Sequence, residues 1–342
     1  MLIKRTLPLL LIGLLIFIGY LYFFVGIPKM IAVIEGINLF YFSLAFVILL
    51  LNMVFYSLTW QYFLRPLAVN IPFRKTFLFT CIGTFVDILV PAESISGDAS
   101  KAYLMSKESG ENAGKVVASV VSHRILTIVI TLSSLIIGSL WLIISQYKLP
   151  ALVLNLILLV AAGTTISLAF MFLLCFKEQL TQKIIDLLLR FLAFISRGRW
   201  QLASLRSKAQ KALRSFHQSI EVFCRNPRSL VQPVVFSLVS WLFSVLPSFL
   251  VFVSIGHTVS LGKVIIVYSI ISSIQTAPIG VVAGVGPVDI IMSSLYALLG
   301  VPLDVSASAT VLTRVLTVWL TLFIGFMATQ WVGIKALIGG SR

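Results

Sequence analysis

Two arginines lie deep inside apolar stretches, and they are the charges in this sequence that most need a chemical explanation. They are Arg124 and Arg314. A guanidinium at membrane depth is costly, so each arginine should face the protein interior and have a partner. A carboxylate can be that partner, and so can a phosphate, which arginine holds through two parallel hydrogen bonds. The two arginines therefore predict either structural ion pairs or contacts to a phosphate group.

Charged side chains precede each arginine, in stretches that Pro and Gly residues interrupt. The candidate contacts for a substrate are Arg124, Arg314, Asp87, Glu93, Asp98, Lys101, His123 and Asp289. The predicted breaks are Pro91, Gly97, Pro278, Gly280, Gly284, Gly286 and Pro287. Asp289 is the carboxylate of the second broken stretch, which makes it the expected counter-charge of Arg314. His123 is either a proton relay or a packing residue.

The two arginines occupy similar segments. Residues 121–127 read Val-Ser-His-Arg-Ile-Leu-Thr and residues 311–317 read Val-Leu-Thr-Arg-Val-Leu-Thr. Each segment follows a stretch that contains Pro, Gly and an aspartate, in that order. A shared order of this kind predicts an internal repeat with one arginine in each half.

The elements that must position these residues are membrane helices. Of 342 residues, 59% are hydrophobic and 11% are charged, and the mean hydropathy is +1.07. This composition predicts an all-α polytopic membrane protein, since a spanning helix needs about 20 apolar residues. The predicted spans are Leu7 to Val25, Leu39 to Leu64, Val116 to Ile144, Ala151 to Phe176, Val231 to Ile255 and Ser306 to Val332. The first lacks a small-residue cleavage site and is expected to be retained.

The basic residues predict the orientation of the spans. The chain has 26 Lys and Arg against 11 Asp and Glu, a net charge of +15. With both termini in the cytoplasm, 21 of the 26 basic residues lie inside, as the positive-inside rule expects. The charge is thus explained by orientation in a cell membrane, and nucleic acid is not an expected partner.

This orientation requires two shorter apolar stretches to enter and leave on the same side. They run from Thr76 to Asp98 and from Val264 to Leu299. We therefore predict two re-entrant broken hairpins, and an inverted repeat within a single transmembrane domain of residues 1–342. The predicted halves are residues 38–176 and 229–335.

The segment between the halves, residues 177–228, has a net charge of +8. Its apolar residues recur at helical spacing from Leu202 to Phe223. This pattern is typical of a basic amphipathic helix on an anionic membrane surface, and an ordinary cytoplasmic connector explains the charge equally well. The three cysteines and three histidines show no metal-ligand spacing, so neither a metal nor a cofactor is predicted.

Together these residues resemble the lysylphosphatidylglycerol synthase transmembrane-region family. The resemblance rests on Pro91, Gly97, Asp98 and Lys101, then Arg124, the basic connector, Pro278 to Asp289, and Arg314. It implies a flippase-like protein that moves modified or glycosylated lipids between leaflets. The family's soluble aminoacyl-transfer domain is not found here, so synthase activity is not expected. Family members tend to have Gly-Gly and a glutamate where this chain has Val285-Gly286 and Asp289.

Three functions are compatible with this pattern. The first is a translocator of an anionic phospholipid or lipid-linked sugar, with a lipid-modifying enzyme as a partner. The second is an enzyme acting on a lipid phosphate, with Asp87, Glu93 and Asp98 holding a divalent metal, although no catalytic signature supports it. The third is an ion-coupled carrier of a soluble anion.

Overall fold

Helices make up every regular element that the structure describes. The computed structural model describes residues 15, 18, 19, 22 and 23 and the segments 27–90, 95–195, 202–276 and 284–339. The α-helices are α1 (Ile27–Glu35), α2 (Leu39–Leu64), α3 (Phe73–Leu89), α4 (Ile95–Ser109), α5 (Ala113–Ile144), α6 (Ala151–Phe176), α7 (Glu178–Ile195), α8 (Leu202–Arg225), α9 (Val231–Ser254), α10 (Leu261–Thr276), α11 (Pro287–Leu298), α12 (Leu303–Arg314) and α13 (Thr321–Gly339). A π-helical segment, Val315–Leu320, joins α12 to α13.

Five helical stretches are long and apolar enough to cross a membrane. They are Leu39–Leu67, Ala113–Ile144, Ala151–Phe176, Pro227–Ser254 and Leu303–Gly333. The prediction of a multi-pass helical membrane protein is thereby confirmed, and these five stretches overlap five of the six predicted spans. The predicted first span falls almost wholly outside the described residues, so a sixth span stays a prediction.

Each predicted broken hairpin contains two short helices, one before its predicted break and one after it. The first comprises α3 and α4, and the second comprises α10 and α11. Pro91, Glu93, Pro278 and Gly280 lie outside the described residues. Whether the hairpins re-enter the membrane stays a prediction, because it depends on where the bilayer lies.

Gly97 was expected to break a helix, but the structure places it inside one. It lies within the first turn of α4, where α4 crosses α3. A Cβ atom at this position would lie 2.2 Å from Asp87 Oδ2 and 2.3 Å from the Gly83 carbonyl oxygen. Gly97 therefore allows two helices to approach closely, as small residues commonly do in membrane proteins.

The two halves pack on each other reciprocally. Helix α2 lies along α9, while α3 of the first half packs on α13, and α10 of the second half packs on α5. Glycines allow close approach at both crossings: a Cβ on Gly325 would lie 2.5 Å from Phe85 Cβ, and one on Gly138 would lie 2.8 Å from Ile265 Cγ2. The internal repeat and the opposite orientation of its halves in the membrane both stay predictions.

The basic connector folds into α7 and α8 and packs against the protein. The apolar stripe of α8 is buried at Leu213, Phe216, Ile220 and Phe223. Helix α8 crosses α5 so closely that a Cβ on Gly114 would lie 2.0 Å from the Ala212 carbonyl oxygen. The described part of the stripe therefore contacts protein instead of lipid. This corrects the first interpretation of the connector, in which the apolar face lies on the membrane.

Candidate functional site

Polar side chains surround a cavity of about 390 Å³ among α2, α3, α4, α5, α9, α10 and the residues that follow α12. Four of the predicted charged residues line it: Asp87, Asp98, Lys101 and Arg124. Ligand pockets typically measure about 300–1,000 Å³, so the space suits a small polar group. Because the surrounding helices are strongly apolar, a concentration of polar atoms here marks the candidate site.

Two cations share a single carboxylate at the cavity wall. Arg124, on α5, contacts Asp98 Oδ2 through Nε at 3.0 Å and Nη2 at 2.9 Å. Lys101, one turn after Asp98 on α4, places Nζ 2.7 Å from Asp98 Oδ1. The Lys101 ammonium also lies 5.6 Å from the Tyr56 ring centre and 5.5 Å from the Trp60 ring, within the range of cation–π attraction. Both oxygens of Asp98 are thus engaged.

Asp87 holds the start of α4 against α3. Its Oδ1 accepts hydrogen bonds from the Gly97 backbone N–H at 2.6 Å and from Ser96 Oγ at 3.0 Å. A carboxylate at the first turn of a helix accepts from N–H groups that have no partner within the helix, and it interacts favourably with the helix dipole. Asp87 therefore positions Asp98, which follows Gly97 directly.

The second arginine makes a similar pair in a different environment. Arg314 Nε lies 2.6 Å from Asp289 Oδ1, and Asp289 Oδ2 accepts a hydrogen bond of 2.7 Å from the Gly286 backbone N–H. Gly286 has φ 93°, a conformation that glycine adopts without strain, and Pro287 begins α11 directly after it. Gly284, with φ 61°, lies just before this turn. Neither Arg314 nor Asp289 lines the cavity.

His123 is buried beside the cavity without lining it. Its ring centre lies 4.4 Å from that of Tyr56 and 6.2 Å from that of Phe63. Neither ring nitrogen has a hydrogen-bond partner among the described residues. The contacts are those of a packing residue, and the proton-relay hypothesis stays untested.

The remaining lining residues are uncharged, and apart from Gly97 they were not identified from the sequence. They come from α2, α3 and α5 as well as from α9, α10 and the stretch after Arg314. The hydroxyl and amide members are Asn52, Tyr56, Thr80, Thr84, Thr127, Thr131, Ser237, Ser240, Ser244, Tyr268, Ser272, Gln275, Thr317 and Thr321. A sequence signal exists, because many recur three, four or seven positions apart in otherwise apolar helices and so share one face. The π-helical segment contains Thr317, and such segments often occur at functional sites.

Comparison with known proteins agrees that the chain is a membrane protein. The family model for the lysylphosphatidylglycerol synthase TM region matches residues 10–325. A UPF0104 membrane protein of Pyrococcus horikoshii is 22% identical over 309 residues, covering 88% of this chain and 89% of the relative. One from Methanocaldococcus jannaschii is 26% identical over 314 residues, covering 89% and 88%. No solved structure matches the chain.

The family match spans the hairpins, the basic connector and both arginines. It therefore covers all of the described residues that form the cavity. With helical membrane spans observed and most of the chain matched, the protein belongs to the lysylphosphatidylglycerol synthase transmembrane-region family.

Proposed function

We propose that this protein is a lipid translocator that receives a phosphate-bearing headgroup in the central cavity. The observation that carries the proposal is the sharing of Asp98 by Arg124 and Lys101 at the cavity wall. Arg124 can exchange this carboxylate for a phosphate, because the same guanidinium donors bind both groups.

A phosphate can replace Asp98 as the partner of Arg124. The Nε and Nη2 atoms of Arg124 present the two-donor edge that binds carboxylates and phosphates alike. Releasing Asp98 does not leave its carboxylate uncompensated, because Lys101 remains 2.7 Å away. Exchange of one anion for another avoids the large cost of an unpaired buried charge. Headgroup binding would therefore loosen α4 from α5.

The outer surface of the bundle suits a substrate whose tails stay in the bilayer. Helix α6 exposes large apolar side chains along its length, among them Leu152, Leu158, Ile166 and Phe170. Lipid tails are as apolar as these side chains, so only the headgroup needs a polar path. Acyl or isoprenoid chains of the substrate would move along this surface while the headgroup crosses the cavity.

The mechanism we favour is alternating access by the two hairpins. Helices α3 and α4 would form the gate on one side of the cavity, and α10 and α11 the gate on the other. In this scheme the termini lie in the cytoplasm of a multi-pass cell-membrane protein, and a lipid-modifying enzyme supplies or removes the substrate. The sequence suggested that Arg314 contacts the substrate together with Arg124. Because Arg314 lies outside the cavity, its role in this scheme is to hold α11 against α12.

Reconstituted vesicles provide the test. Leaflet exchange of fluorescent phosphatidic acid and phosphatidylglycerol would be followed by quenching from outside, for the native protein and for Arg124→Gln. Charge-assisted hydrogen bonds contribute about 1.5–3 kcal/mol each, so we expect exchange to slow about a hundredfold in this variant. The remaining contact between Lys101 and Asp98 should preserve the fold, which thermal unfolding would verify.

Arg225→Gln is the matched control, because Arg225 pairs with Glu221 on the exposed end of α8. It should exchange lipid at the native rate. Failure of the native protein to accelerate any anionic lipid would contradict the proposal, and so would native exchange by Arg124→Gln.

A further inference from the structure

A second cavity lies where the basic connector meets the ends of two membrane-length helices. It measures about 420 Å³ and lies among α5, α6, α7 and α8. Its walls are formed by apolar side chains, including Val117, Leu174, Ile185, Ala209 and Leu213. We call this space the connector groove. It shares no lining residue with the central cavity, so it is a separate site.

Water gains little from the walls of the connector groove. Thr181 supplies the polar side chain among its described lining residues, and this hydroxyl donates to the Leu174 carbonyl oxygen at 2.7 Å. Cavities with apolar walls stay dry and accept apolar ligands. The groove therefore suits a hydrocarbon chain.

The groove lies at the level of a membrane surface. Val117 is in the second turn of α5, and Leu174 is in the last turn of α6. Helices α5 and α6 are consecutive membrane-length helices, so the start of one and the end of the other lie near the same surface. Lipid headgroups meet their acyl chains at this level. Val117 is 40% exposed, so the groove has an open apolar edge on α5.

Basic side chains surround the groove on the connector, whose net charge is +8. Lys177 directly follows α6, and Lys208 directly precedes the lining residue Ala209. Both lysines are exposed, and within the described part of the chain neither has a carboxylate within 4 Å. Basic side chains beside the ends of membrane helices attract anionic headgroups. The site therefore combines an apolar groove with positive charge at its border.

We infer that the connector groove binds an anionic phospholipid of the surrounding membrane. One acyl chain lies between α6 and α8, and the phosphate lies beside Lys177 and Lys208. Four helices surround this chain, which distinguishes the site from a bilayer surface on which α8 would lie. Because the chain contacts the connector and both membrane-length helices at once, the lipid stabilises their packing. This inference does not depend on the proposed translocation, since the two sites are separate.

Thermal unfolding in detergent tests the inference by titration with three probes. Phosphatidylglycerol has a tail and a net negative charge, phosphatidylcholine has a tail and no net charge, and glycerol phosphate has the charge without a tail. Each cation near an anionic headgroup contributes about fivefold in affinity, so we expect phosphatidylglycerol to bind about twentyfold more tightly than phosphatidylcholine. Glycerol phosphate should leave the unfolding temperature unchanged. Equal affinity for the two lipids, or stabilisation by glycerol phosphate, would overturn the inference.

Two double variants test the positions of the cations. Lys177→Gln with Lys208→Gln should abolish the preference for phosphatidylglycerol. Lys183→Gln with Lys211→Gln is the matched control with the same change of charge. Each control lysine lies two positions from a lining residue of its own helix, so it points away from the groove. An equal loss of preference in both double variants would assign the binding to the general charge of the connector and overturn the inference.

Filling the groove tests the position of the acyl chain. Ala209→Phe places a ring where the chain would lie, and we expect the affinity for phosphatidylglycerol to fall at least about tenfold. The unfolding temperature without lipid verifies that this variant folds. Ala169→Phe is the control, because Ala169 is exposed on α6 and does not line the groove. Native affinity in Ala209→Phe would overturn the inference.

Arg124→Gln separates the groove from the central cavity. Because the two sites share no residue, this variant should bind phosphatidylglycerol with native affinity even if it no longer moves lipid. Loss of binding in Arg124→Gln would place the lipid in the central cavity and overturn the inference. Failure of lipid exchange by the native protein would contradict the proposed function and leave binding at the groove unaffected.

Discussion

The two arginine–carboxylate pairs have nearly the same local design and different surroundings. Arg124 is the twelfth residue of α5 and Arg314 the twelfth of α12, and each contacts an aspartate in the first turn of the preceding helix. The side chains of Arg124 and Asp98 are 18% and 22% exposed, and those of Arg314 and Asp289 are 9% and 4% exposed. Similar positions in two similar sequence segments thus do not imply similar exposure of the arginines.

The carboxylates also differ in what else holds them. Asp98 lies between two cations, and both line the cavity. Asp289 instead connects one cation to the backbone N–H of Gly286. In the proposed mechanism the first arrangement exchanges partners, and Lys101 remains as the partner of Asp98 when Arg124 leaves it. The second has a geometry that joins two helices, and its stability depends on both partners staying in place.

Removing the buried carboxylate of Asp289 should lower the stability of the protein more than any other change considered below. Asp289→Asn leaves the Arg314 charge buried without its carboxylate partner, and breaking a buried pair in this way typically costs about 3–5 kcal/mol. We expect a marked fall in the thermal unfolding temperature of the purified protein in detergent. A native unfolding temperature for this variant would show that the second pair is not a structural lock.

Replacing the glycine near either aspartate with alanine should reduce stability by an intermediate amount, and the physical cause differs between the two sites. Gly97→Ala places a Cβ atom 2.2 Å from Asp87 Oδ2, and such overpacking costs about 1–3 kcal/mol. Gly286→Ala forces a non-glycine residue to φ 93°, at a strain of similar size. Of the two variants, we expect only Gly97→Ala to slow lipid exchange, because it displaces Asp98 at the cavity.

Gly163→Ala is the control for both variants, since a Cβ atom at Gly163 would meet nothing within 4 Å. It should be neutral or slightly stabilising, because alanine favours a helix more than glycine does. Equal losses of exchange in Gly97→Ala and Gly286→Ala would remove the functional distinction between the hairpins.

Removing the carboxylate at the cavity should have a smaller effect on stability than removing Asp289. The Arg124–Asp98 pair is partly exposed, so solvent screens its charges, but Asp98→Asn also removes the carboxylate partner of the nearly buried Lys101. Freed from this competitor, Arg124 and Lys101 should bind phosphatidic acid more tightly, which a binding titration in detergent would measure. Glu221→Gln breaks an exposed pair on α8 and should change neither quantity. A loss of stability as large as that of Asp289→Asn would contradict the comparison.

Much of the architecture was predictable from residue types and spacing. Long apolar runs predicted five observed membrane-length helices. Of the predicted breaks, Gly286 and Pro287 mark the start of α11, whereas Gly97 lies within α4. The charges at the cavity were also identifiable, because Asp98, Lys101 and Arg124 are expensive in apolar surroundings and therefore conspicuous. The uncharged polar residues of the cavity, among them Ser240, Tyr268 and Thr317, were missed, since a serine or threonine costs little inside a membrane helix and gives little signal by itself.

The connector shows why the sequence could not predict which surface covers an apolar helix face. The apolar stripe of α8 predicts that one face is buried, but lipid and protein are equally apolar partners for it. Only the close crossing of α8 over α5, at Gly114, shows that protein covers the described part of the stripe.

By itself, the sequence determined the membrane character, the helical spans and the matching positions of the two arginines, because each depends on the composition of a single segment. The tertiary structure alone decided that Arg124 faces a cavity while Arg314 is enclosed. The physical reason is that helices such as α2 and α5 are apolar on nearly all sides, so their pattern does not distinguish the face toward lipid from the face toward protein. Packing between distant segments makes that choice, and it brings Tyr268 and Thr317 to the same cavity as Arg124.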